Sequence, residues 1–370
     1  MKIILFAGTY GLSGVPIAQY RLAESLTKFG YEVELIYGKV LDDIILPHNK
    51  KFKIKVLKKS KVSLMLFKII NILHKQRPDI VFSAGDHLNA IVLLAGILVN
   101  SKSKFSCSSR VTPFDTYSNK IFSKNWFLKI IMKAVMYRAN VLSCVSKDMV
   151  DQYKKIFRNS KHVAIYNIVK NKDTKIKMQE TLNENEEIYF KKKYTIITAG
   201  MLEKWKRHGD IITAFNGFKQ KNDCNLLILG EGSQKKVLEK QIRNLNLEKS
   251  VHLLGNVINP LKFFSRSNIF VLSSEVEGMP NALIEAMMCG CTPVSTNCPT
   301  GPKEIIKNND YGYLVPVGNP EMMSKALEIA IERPIDKLKL DEATKPFDEE
   351  NVIEQHLKML NLNNTHTKTI

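Results

Sequence analysis

The sequence has no long apolar segment, and a secretory signal is not evident. The longest uncharged apolar run, residues 90–99, is ten residues long, whereas a membrane-spanning helix needs about 20. The apolar start, residues 1–6, is too short for a signal sequence and leads directly into a glycine-containing turn. We therefore expect a cytoplasmic protein without a transmembrane segment.

Cysteine is also scarce, with six residues that lie mostly in or beside apolar runs. This placement is typical of reduced core thiols. Cys289, Cys291 and Cys298 lie close together, but no histidine or fourth cysteine follows at the spacing of a zinc site. We predict no metal site and no disulfide framework.

Acidic residues are few in the first half of the chain. Residues 1–168 hold 27 Lys and Arg against 10 Asp and Glu, and the remaining 202 residues hold 28 against 26. Most of the net charge of +19 therefore belongs to the first half. Such a field favours an anionic membrane surface. Nucleic acid is not an expected partner, because no finger, RNA-recognition or helix-turn-helix pattern is present.

Two basic stretches of this half contain no acid: residues 44–78 and residues 116–147. Within the first, residues 62–74 are apolar with cationic flanks, which suits either a helix on an anionic membrane or a buried crossover helix. The densest basic run consists of Lys50, Lys51, Lys53, Lys55, Lys58, Lys59 and Lys61.

Strand and helix patterns alternate along most of the chain, which predicts an α/β protein with parallel sheets covered by helices. At 370 residues the chain is long enough for two domains. We assign 1–168 to a first domain and 194–345 to a second. The polar segment 169–193 is predicted to be a linker, and 346–370 a helix, able to pack back on the first domain, with a frayed tail.

The segment with the strongest chemical signal is 274–285, which runs from the end of a strand through Gly278 and Pro280 into a helix. The start of that helix offers backbone N–H groups and a positive dipole to a phosphate. Glu285, one turn into the helix, can accept two hydrogen bonds from a vicinal diol such as a ribose. Glu277 precedes the helix, nearer to a sugar beyond the phosphates.

Glu277 and Glu285 in this setting resemble the signature of glycosyltransferase family 4. Its members have the GT-B fold, two Rossmann-like domains that face each other across a cleft. The resemblance extends over the chain in order, through residues 11–14, 144–147, 166–167, 199–208, 229–232, 254–257 and 312–316. Residues 297–302 resemble a subgroup that builds capsule, O-antigen or other oligosaccharide on polyprenyl diphosphate lipids.

The resemblance implies a retaining hexosyltransferase or N-acetylhexosaminyltransferase that needs no metal or other cofactor. Its donor is a nucleotide sugar, and the subgroup points to UDP-N-acetylhexosamine. Its acceptor is a polyprenyl-diphosphate-linked saccharide of bacterial surface polysaccharide synthesis. We therefore expect peripheral association with the inner face of the cell membrane.

The same resemblance assigns roles to individual residues. Glu285 is expected to bind the donor ribose, Glu277 the transferred sugar and Lys206 the diphosphate. The backbone around Gly200, Met279 and Asn281 is expected to contact phosphate, with Arg207 nearby, and Gly14 lets the backbone of the first domain approach the same diphosphate. Arg110 and His87 are candidates for the acceptor side. The alternative interpretation is structural for each: a solvated loop for Lys206 and Arg207, a surface acid for Glu277 and a strand-end residue for His87.

One position departs from the family pattern, because Met201 stands where an arginine usually follows Gly200. Protein cations must then compensate the leaving diphosphate, and one lost contact of this kind costs about 2–4 kcal/mol in the barrier. Lys204 or Arg207 is close enough in sequence to substitute. Three other functions remain open: a catalytically degenerate sugar-nucleotide-binding subunit, a sugar-nucleotide epimerase of the GT-B fold, and a nicotinamide oxidoreductase, whose glycine spacing the chain does not match.

Overall fold

A computed structural model gives the fold as two α/β units. Unit 1 contains residues 1–168 and the C-terminal segment from Glu349, and unit 2 contains Val169–Asp348. Across the described ranges, no helix is long and apolar enough to cross a bilayer. The structure describes residues 1–11, 14–41, 51–59, 61–158 and 160–362.

Unit 1 is a parallel sheet covered by helices. Its strands are β1 (Lys2–Tyr10), β2 (Glu32–Val40), β3 (Lys53–Val56), β4 (Ile80–Ala84), β5 (Lys104–Ser109), β6 (Val141–Cys144) and β7 (His162–Ala164). Its first helices are α1 (Gly14–Lys28), α2 (Leu66–Gln76), α3 (Asp86–Leu98), α4 (Pro113–Thr116), α5 (Lys124–Val135) and α6 (Lys147–Ile156). The strands pair in the order β3-β2-β1-β4-β5-β6-β7. Ile3, Leu5 and Leu35 are fully buried at its centre, as expected for strands with both faces covered.

Unit 2 repeats the architecture. Its strands are β8 (Tyr194–Ala199), β9 (Cys224–Leu229), β10 (Val251–Gly255), β11 (Ile269–Leu272), β12 (Thr292–Thr296) and β13 (Tyr313–Val315). Its helices are α7 (Lys172–Met178), α8 (Glu184–Glu187), α9 (His208–Lys219), α10 (Lys235–Asn244), α11 (Leu261–Phe264), α12 (Asn281–Met288), α13 (Pro302–Ile306), α14 (Pro320–Glu332) and α15 (Lys337–Thr344). The parallel order is β10-β9-β8-β11-β12-β13, and Ile196, Phe215 and Leu327 are fully buried in the core.

The C-terminal helix α16 (Glu349–Met359) belongs to unit 1. Its buried side chains Val352, Ile353 and Leu357 join the core around β1 and β2. Lys28 of α1 forms an ion pair with Glu349 at 3.5 Å. The segment 346–370 is therefore divided, because residues 346–348 are grouped with unit 2.

Residues 169–193, predicted to be a linker, are largely helical and belong to unit 2. They form α7, α8 and the 3-10 helix Ile188–Phe190. Asn171 and Asn183 each begin a helix with a capping box, and Glu186 pairs with Lys262 at 2.7 Å. Polar caps rather than apolar periodicity define these short helices, which is why the sequence pattern concealed them.

The basic stretch of unit 1 contains two elements. The strand β3 alternates lysines with Ile54 and Val56 at the edge of the sheet. The segment 62–74 becomes the 3-10 helix Val62–Met65 followed by α2, which buries Ile69, Ile72 and Leu73. The segment 62–74 is therefore the helical crossover between β3 and β4, although the side chain of Phe67 remains 80% exposed. Lys50 of the lysine run lies outside the described residues.

The buried His162 of β7 leads to a prediction about the stability of the protein at acid pH. Burial lowers the pKa of His162 to about 4, and within the described residues neither ring nitrogen has a hydrogen-bond partner. The pKa of His162 in the folded protein lies below its pKa in the unfolded chain. Above about pH 6.5 the ring is neutral in both states and does not change the free energy of unfolding. As the pH falls from about 6.5 towards 4, the ring is protonated only in the unfolded chain, so the free energy of unfolding decreases. Replacing His162 by Leu should stabilise the protein at about pH 5 by about 2 kcal/mol more than at about pH 8.

Urea unfolding at the two pH values, followed by circular dichroism, measures this difference. The exposed His74 on α2 provides the matched control, His74→Leu. An equal effect of His162→Leu at both pH values would contradict a neutral, buried His162.

A second stability prediction concerns Gly230, at the end of β9. Its φ is +136°, and a Cβ there would lie 2.0 Å from the carbonyl oxygen of Gly200. Gly230→Ala should therefore destabilise unit 2 by about 2–4 kcal/mol through strain and a backbone clash. Gly290 is the control because its φ is +97° but nothing lies within 4 Å of its Cβ position; Gly290→Ala should cost only about 1 kcal/mol. Similar thermal unfolding midpoints for the two variants would refute the clash.

Candidate functional site

Two loops that carry predicted donor residues leave adjacent strands of the unit 2 sheet. β8 and β11 are neighbours, with Ile196 paired to Ile269. From β8 the chain continues towards β9 on one side, and from β11 it continues towards β12 on the other. The loops 200–207 and 273–280 therefore diverge at the carboxyl ends of the strands, where open parallel sheets bind ligands.

An ion pair joins these two loops. Lys206 Nζ lies 2.5 Å from Glu277 Oε1, and the hydroxyl of Ser274 donates to the same oxygen at 2.6 Å. The side chains of Lys206 and Glu277 are only 18% and 10% exposed. The pair thus places one cation and one carboxylate together at the edge of the sheet, partly shielded from water, where their interaction is stronger than on an open surface.

Hydrogen bonds hold the backbones of both loops in place. The hydroxyl of Ser273 donates to the carbonyl of Lys206 at 2.6 Å, and the N–H of Glu275 donates to the carbonyl of Trp205 at 2.8 Å. Ser273 and Ser274, which the sequence interpretation did not single out, are therefore positioning residues. The only signal for them was their place directly before the acidic motif.

A third loop, after β12, supports the turn that precedes α12. The N–H of Glu277 donates to the carbonyl of Pro299 at 3.3 Å. A Cβ on Gly301 would lie 2.6 Å from Pro280 Cδ, and its φ is +92°. Glycine at this position therefore permits a close approach of the two loops. The segment 297–302 therefore supports the turn that precedes α12, whereas the sequence alone indicated only a family resemblance for this segment.

The helix α12 begins at this turn. Its cap residue, Pro280, makes no side-chain hydrogen bond to the first turn, and the first-turn N–H groups carry the positive end of the helix dipole. Met279 is buried beside it, whereas Asn281 and Glu285 are half-buried. The buried face of α12, with Leu283 and Ile284, packs into unit 2, and this packing fixes the position of Glu285 one turn from the helix start.

The guanidinium of Arg207 is paired with two carboxylates. Its Nε donates to Asp210 Oδ2 at 2.6 Å and its Nη1 donates to Glu275 Oε1 at 2.9 Å. These hydrogen bonds, first to Asp210 and then to Glu275, raise the pKa of Arg207. Its charge is thus largely compensated, which makes it a weak substitute for the arginine absent at position 201. Met201 itself is 47% exposed, and Lys204 is exposed in the same loop.

His208, the first residue of α9, is a neighbour that the sequence interpretation missed. It is 4% exposed. Burial, with a smaller contribution from Lys206, lowers the pKa of His208 to about 4. The imidazole is therefore neutral at physiological pH and adds no cation to the loop.

The remaining predicted residues lie in unit 1. Gly14 begins α1 after β1, His87 follows β4 and Arg110 follows β5. Because β1, β4 and β5 are consecutive in the sheet, these residues share its carboxyl edge. Arg110 Nη1 donates to Asn167 Oδ1, and burial lowers the pKa of Arg110 to about 10, so it remains a cation.

His87 is exposed, and its pKa is lowered by partial burial and then by Lys124, against a weaker opposite effect of Asp86. Asp86 is buried and accepts hydrogen bonds from the hydroxyls of Ser109, Tyr117 and Tyr153 at 2.7–3.0 Å. Burial nevertheless raises the pKa of Asp86. This cluster anchors the start of α3 and holds His87 at the edge of the sheet.

All six cysteines are free thiols, and five of them are buried. Cys291 donates to the carbonyl of Phe264 at 3.1 Å, and burial raises the pKa values of Cys289 and Cys298 to about 12. No group of three or more His, Cys, Asp and Glu side chains in the described ranges is arranged to hold a metal ion.

Comparison with solved structures identifies the fold. The *Anabaena* protein HepE, solved in complex with UDP and glucose, superposes with a TM-score of 0.74 at 14% identity, over 98% of this chain and 99% of that one. The chain therefore has the GT-B fold, with two Rossmann-like units.

Sequence comparison identifies the family. The model for glycosyl transferases group 1 matches residues 179–346. The N-acetylgalactosamine-N,N'-diacetylbacillosaminyl-diphospho-undecaprenol 4-alpha-N-acetylgalactosaminyltransferase of *Campylobacter jejuni* is 31% identical over 74% of this chain and 73% of its own length. The amylovoran biosynthesis glycosyltransferase AmsD of *Erwinia amylovora* is 25% identical over 88% of each chain. Since the first of these relatives is matched over most of both chains, the protein belongs to the group 1 glycosyltransferases and is a glycosyltransferase of the GT-B fold.

Proposed function

We propose that the protein transfers a sugar, with retention of configuration, from UDP-N-acetylhexosamine to a polyprenyl-diphosphate-linked saccharide. The observation that carries this proposal is the Lys206–Glu277 pair beside the start of α12, with Glu285 one turn along that helix. A cation, a sugar-binding acid, a phosphate-binding helix start and a ribose-binding acid are the groups that a nucleotide sugar requires.

In this proposal the donor lies along the carboxyl edge of the unit 2 sheet. Glu285 accepts hydrogen bonds from the ribose hydroxyls, and Glu277 contacts hydroxyls of the transferred sugar. Lys206 faces the diphosphate, which the backbone N–H groups of α12 near Met279 and Asn281 also contact. A Cβ at Gly200 would lie 4.0 Å from Lys206 Cε, so glycine at this position leaves more room for the phosphates beside Lys206.

The reaction breaks the bond between the sugar C1 and the diphosphate oxygen and forms a bond from C1 to the acceptor hydroxyl oxygen on the same face. The acceptor proton passes to an oxygen of the leaving diphosphate, so no protein nucleophile is needed. Protein cations and the α12 dipole stabilise the developing charge, and we propose that no metal is required. Gly14, His87 and Arg110 of unit 1 are the residues we assign to the diphosphate and acceptor sides.

The acceptor class is suggested by relatives. The *Campylobacter* enzyme is named for a diphospho-undecaprenol-linked acceptor, and the *Erwinia* protein is named for amylovoran biosynthesis. A lipid-linked acceptor requires access to a membrane, and the basic excess of residues 1–168 suits an anionic membrane surface. We therefore propose a peripheral enzyme of surface polysaccharide synthesis on the inner face of the cell membrane.

Met201 favours one rival function, a subunit that binds sugar nucleotide without turnover. A GT-B epimerase, by contrast, would convert the donor into another sugar nucleotide without any acceptor. Incubation with a panel of UDP- and GDP-sugars, with and without a lipid-linked acceptor extract, separates the three when both nucleotide release and the identity of the recovered sugar nucleotide are measured. Acceptor-dependent release supports transfer, and the anomeric configuration of the product, read by NMR, tests retention.

The first activity prediction concerns Glu285. Replacing it by Ala removes two charge-assisted hydrogen bonds to the ribose, and we expect kcat/KM for the donor to fall roughly a hundredfold or more. Glu321→Ala, at an acid 82% exposed on α14, is the matched control and should retain wild-type activity. If Glu285→Ala released UDP as fast as the wild type does, the proposed position of the donor would be refuted.

The second activity prediction concerns Met201, which stands where the family usually has an arginine. Since Arg207 is held by Asp210 and Glu275, we expect Met201→Arg to add a cation at the diphosphate and to raise kcat on the order of tenfold. Val237→Arg adds the same charge at an exposed apolar position of α10 and should have no effect. A rate unchanged by Met201→Arg would mean that the diphosphate charge is already compensated in the wild type.

A further inference from the structure

The helix α5 of unit 1 has two apolar faces. One face, with Leu128, Met132 and Val135, is buried against the unit. The other consists of Phe127, Ile130 and Ile131, which lie at the helical spacing i, i+3, i+4 and are 48%, 44% and 40% exposed. A surface helix of a globular protein normally has one apolar stripe, directed at the core. The second stripe of α5 therefore needs a partner outside the folded unit.

Aromatic residues extend this stripe at the start of the helix. Phe122, Trp126 and Phe127 form a cluster with ring centroids 5.0–6.5 Å apart. Phe122 is 80% exposed and has a φ of +62°. A bulky residue rarely adopts this left-handed conformation, so the chain holds an aromatic ring in water at a cost that the isolated unit does not recover.

All the charged residues between Asp115 and Asp148 are basic. We define the α5 patch as a set of exposed apolar side chains together with the lysines around them. It consists of Phe122, Phe127, Ile130 and Ile131 with Lys120, Lys124, Lys129 and Lys133. No acid occurs between Asp115 and Asp148, so nothing in this part of the sequence neutralises these lysines. Lysine is depleted in the cores of protein–protein interfaces, whereas aromatic and basic side chains together are typical of helices that lie on anionic bilayers.

Three exposed apolar residues of unit 2 form a contrast. Val237, Ile258 and Leu338 are 56%, 104% and 78% exposed, but they belong to three separate elements or loops. Isolated residues of this kind are ordinary on protein surfaces. They show that the α5 patch is distinguished by its clustering and charge, not by exposure alone.

We propose that the α5 patch is the surface through which the protein docks on a bilayer that contains anionic lipid. The aromatic and aliphatic side chains enter the headgroup boundary, and the lysines contact lipid phosphates. The helix α5 packs against α3, and α3 begins with Asp86 and His87 directly after β4. The docked surface therefore adjoins the carboxyl edge of the unit 1 sheet. This rests on the proposed function, which places the acceptor on a lipid.

The test is flotation of the purified full chain with vesicles, in the absence of donor and acceptor. Wild type should float with vesicles of phosphatidylcholine and phosphatidylglycerol, and much less with phosphatidylcholine alone. Replacing Phe122, Phe127 and Ile131 by Ser should reduce binding roughly tenfold or more, and so should Glu at Lys124 and Lys133. Ser at Val237, Ile258 and Leu338 is the matched control and should float as wild type does.

Thermal unfolding verifies that the variants fold, since the substituted side chains are exposed. Wild type that does not bind, patch variants that bind as wild type does, or equal binding to both vesicle types would each overturn the proposal. A wild-type dimer by light scattering that becomes monomeric in the patch variants would assign the surface to a second copy of the chain and also overturn it.

Donor turnover measured in detergent with a lipid extract keeps this test separate from that of the proposed function. Patch variants should retain turnover in detergent and lose it on vesicles. If wild type binds vesicles but has no turnover in either medium, docking stands and the proposed transfer fails. If turnover occurs in detergent without vesicle binding, the transfer stands and docking fails.

Discussion

The ion pair between Lys206 and Glu277 connects two loops whose residues are 71 positions apart in the chain. The loop 200–207 contains one 3-10 turn, Lys204–Lys206, and the loop 273–280 contains no helix or strand. The parallel order of unit 2 brings the loops to neighbouring strand ends, and the hydroxyls of Ser273 and Ser274 then fix the lysine backbone and the glutamate side chain. The position of the acids relative to α12 depends on this junction.

Charge compensation is the main chemical demand on such a site, and the structure limits how it is met. Arg207 is committed to Asp210 and Glu275, and His208 is neutral because it is buried. Lys206 is itself paired with an acid. A bound diphosphate would therefore share Lys206 with Glu277 and depend more on the start of α12, since dipoles and backbone N–H groups carry no counter-charge to satisfy.

The excess positive charge belongs to a different part of the chain from the charges of the unit 2 site. It is concentrated in residues 1–168 and, around α5, accompanies exposed aromatic side chains. The site cations are few and paired, whereas the surface lysines are many and face solvent. Separation of this kind allows a chain to bind a polyanionic surface broadly while it binds a small anionic substrate at a defined point.

The sequence by itself determined the alternation of strands and helices, because strands buried on both faces must be continuous apolar runs. It also indicated Glu277 and Glu285 from their place between the end of a strand and the start of a helix, whereas Lys206 came only from the family resemblance. It did not indicate the short helices within residues 169–193, because their starts depend on polar caps and not on apolar periodicity. Only the tertiary structure decided that Lys206 meets Glu277, that Arg207 is occupied, and that α5 exposes a second apolar face. Periodicity places a side chain on a face of its helix, but which neighbour covers that face depends on contacts between residues distant in sequence.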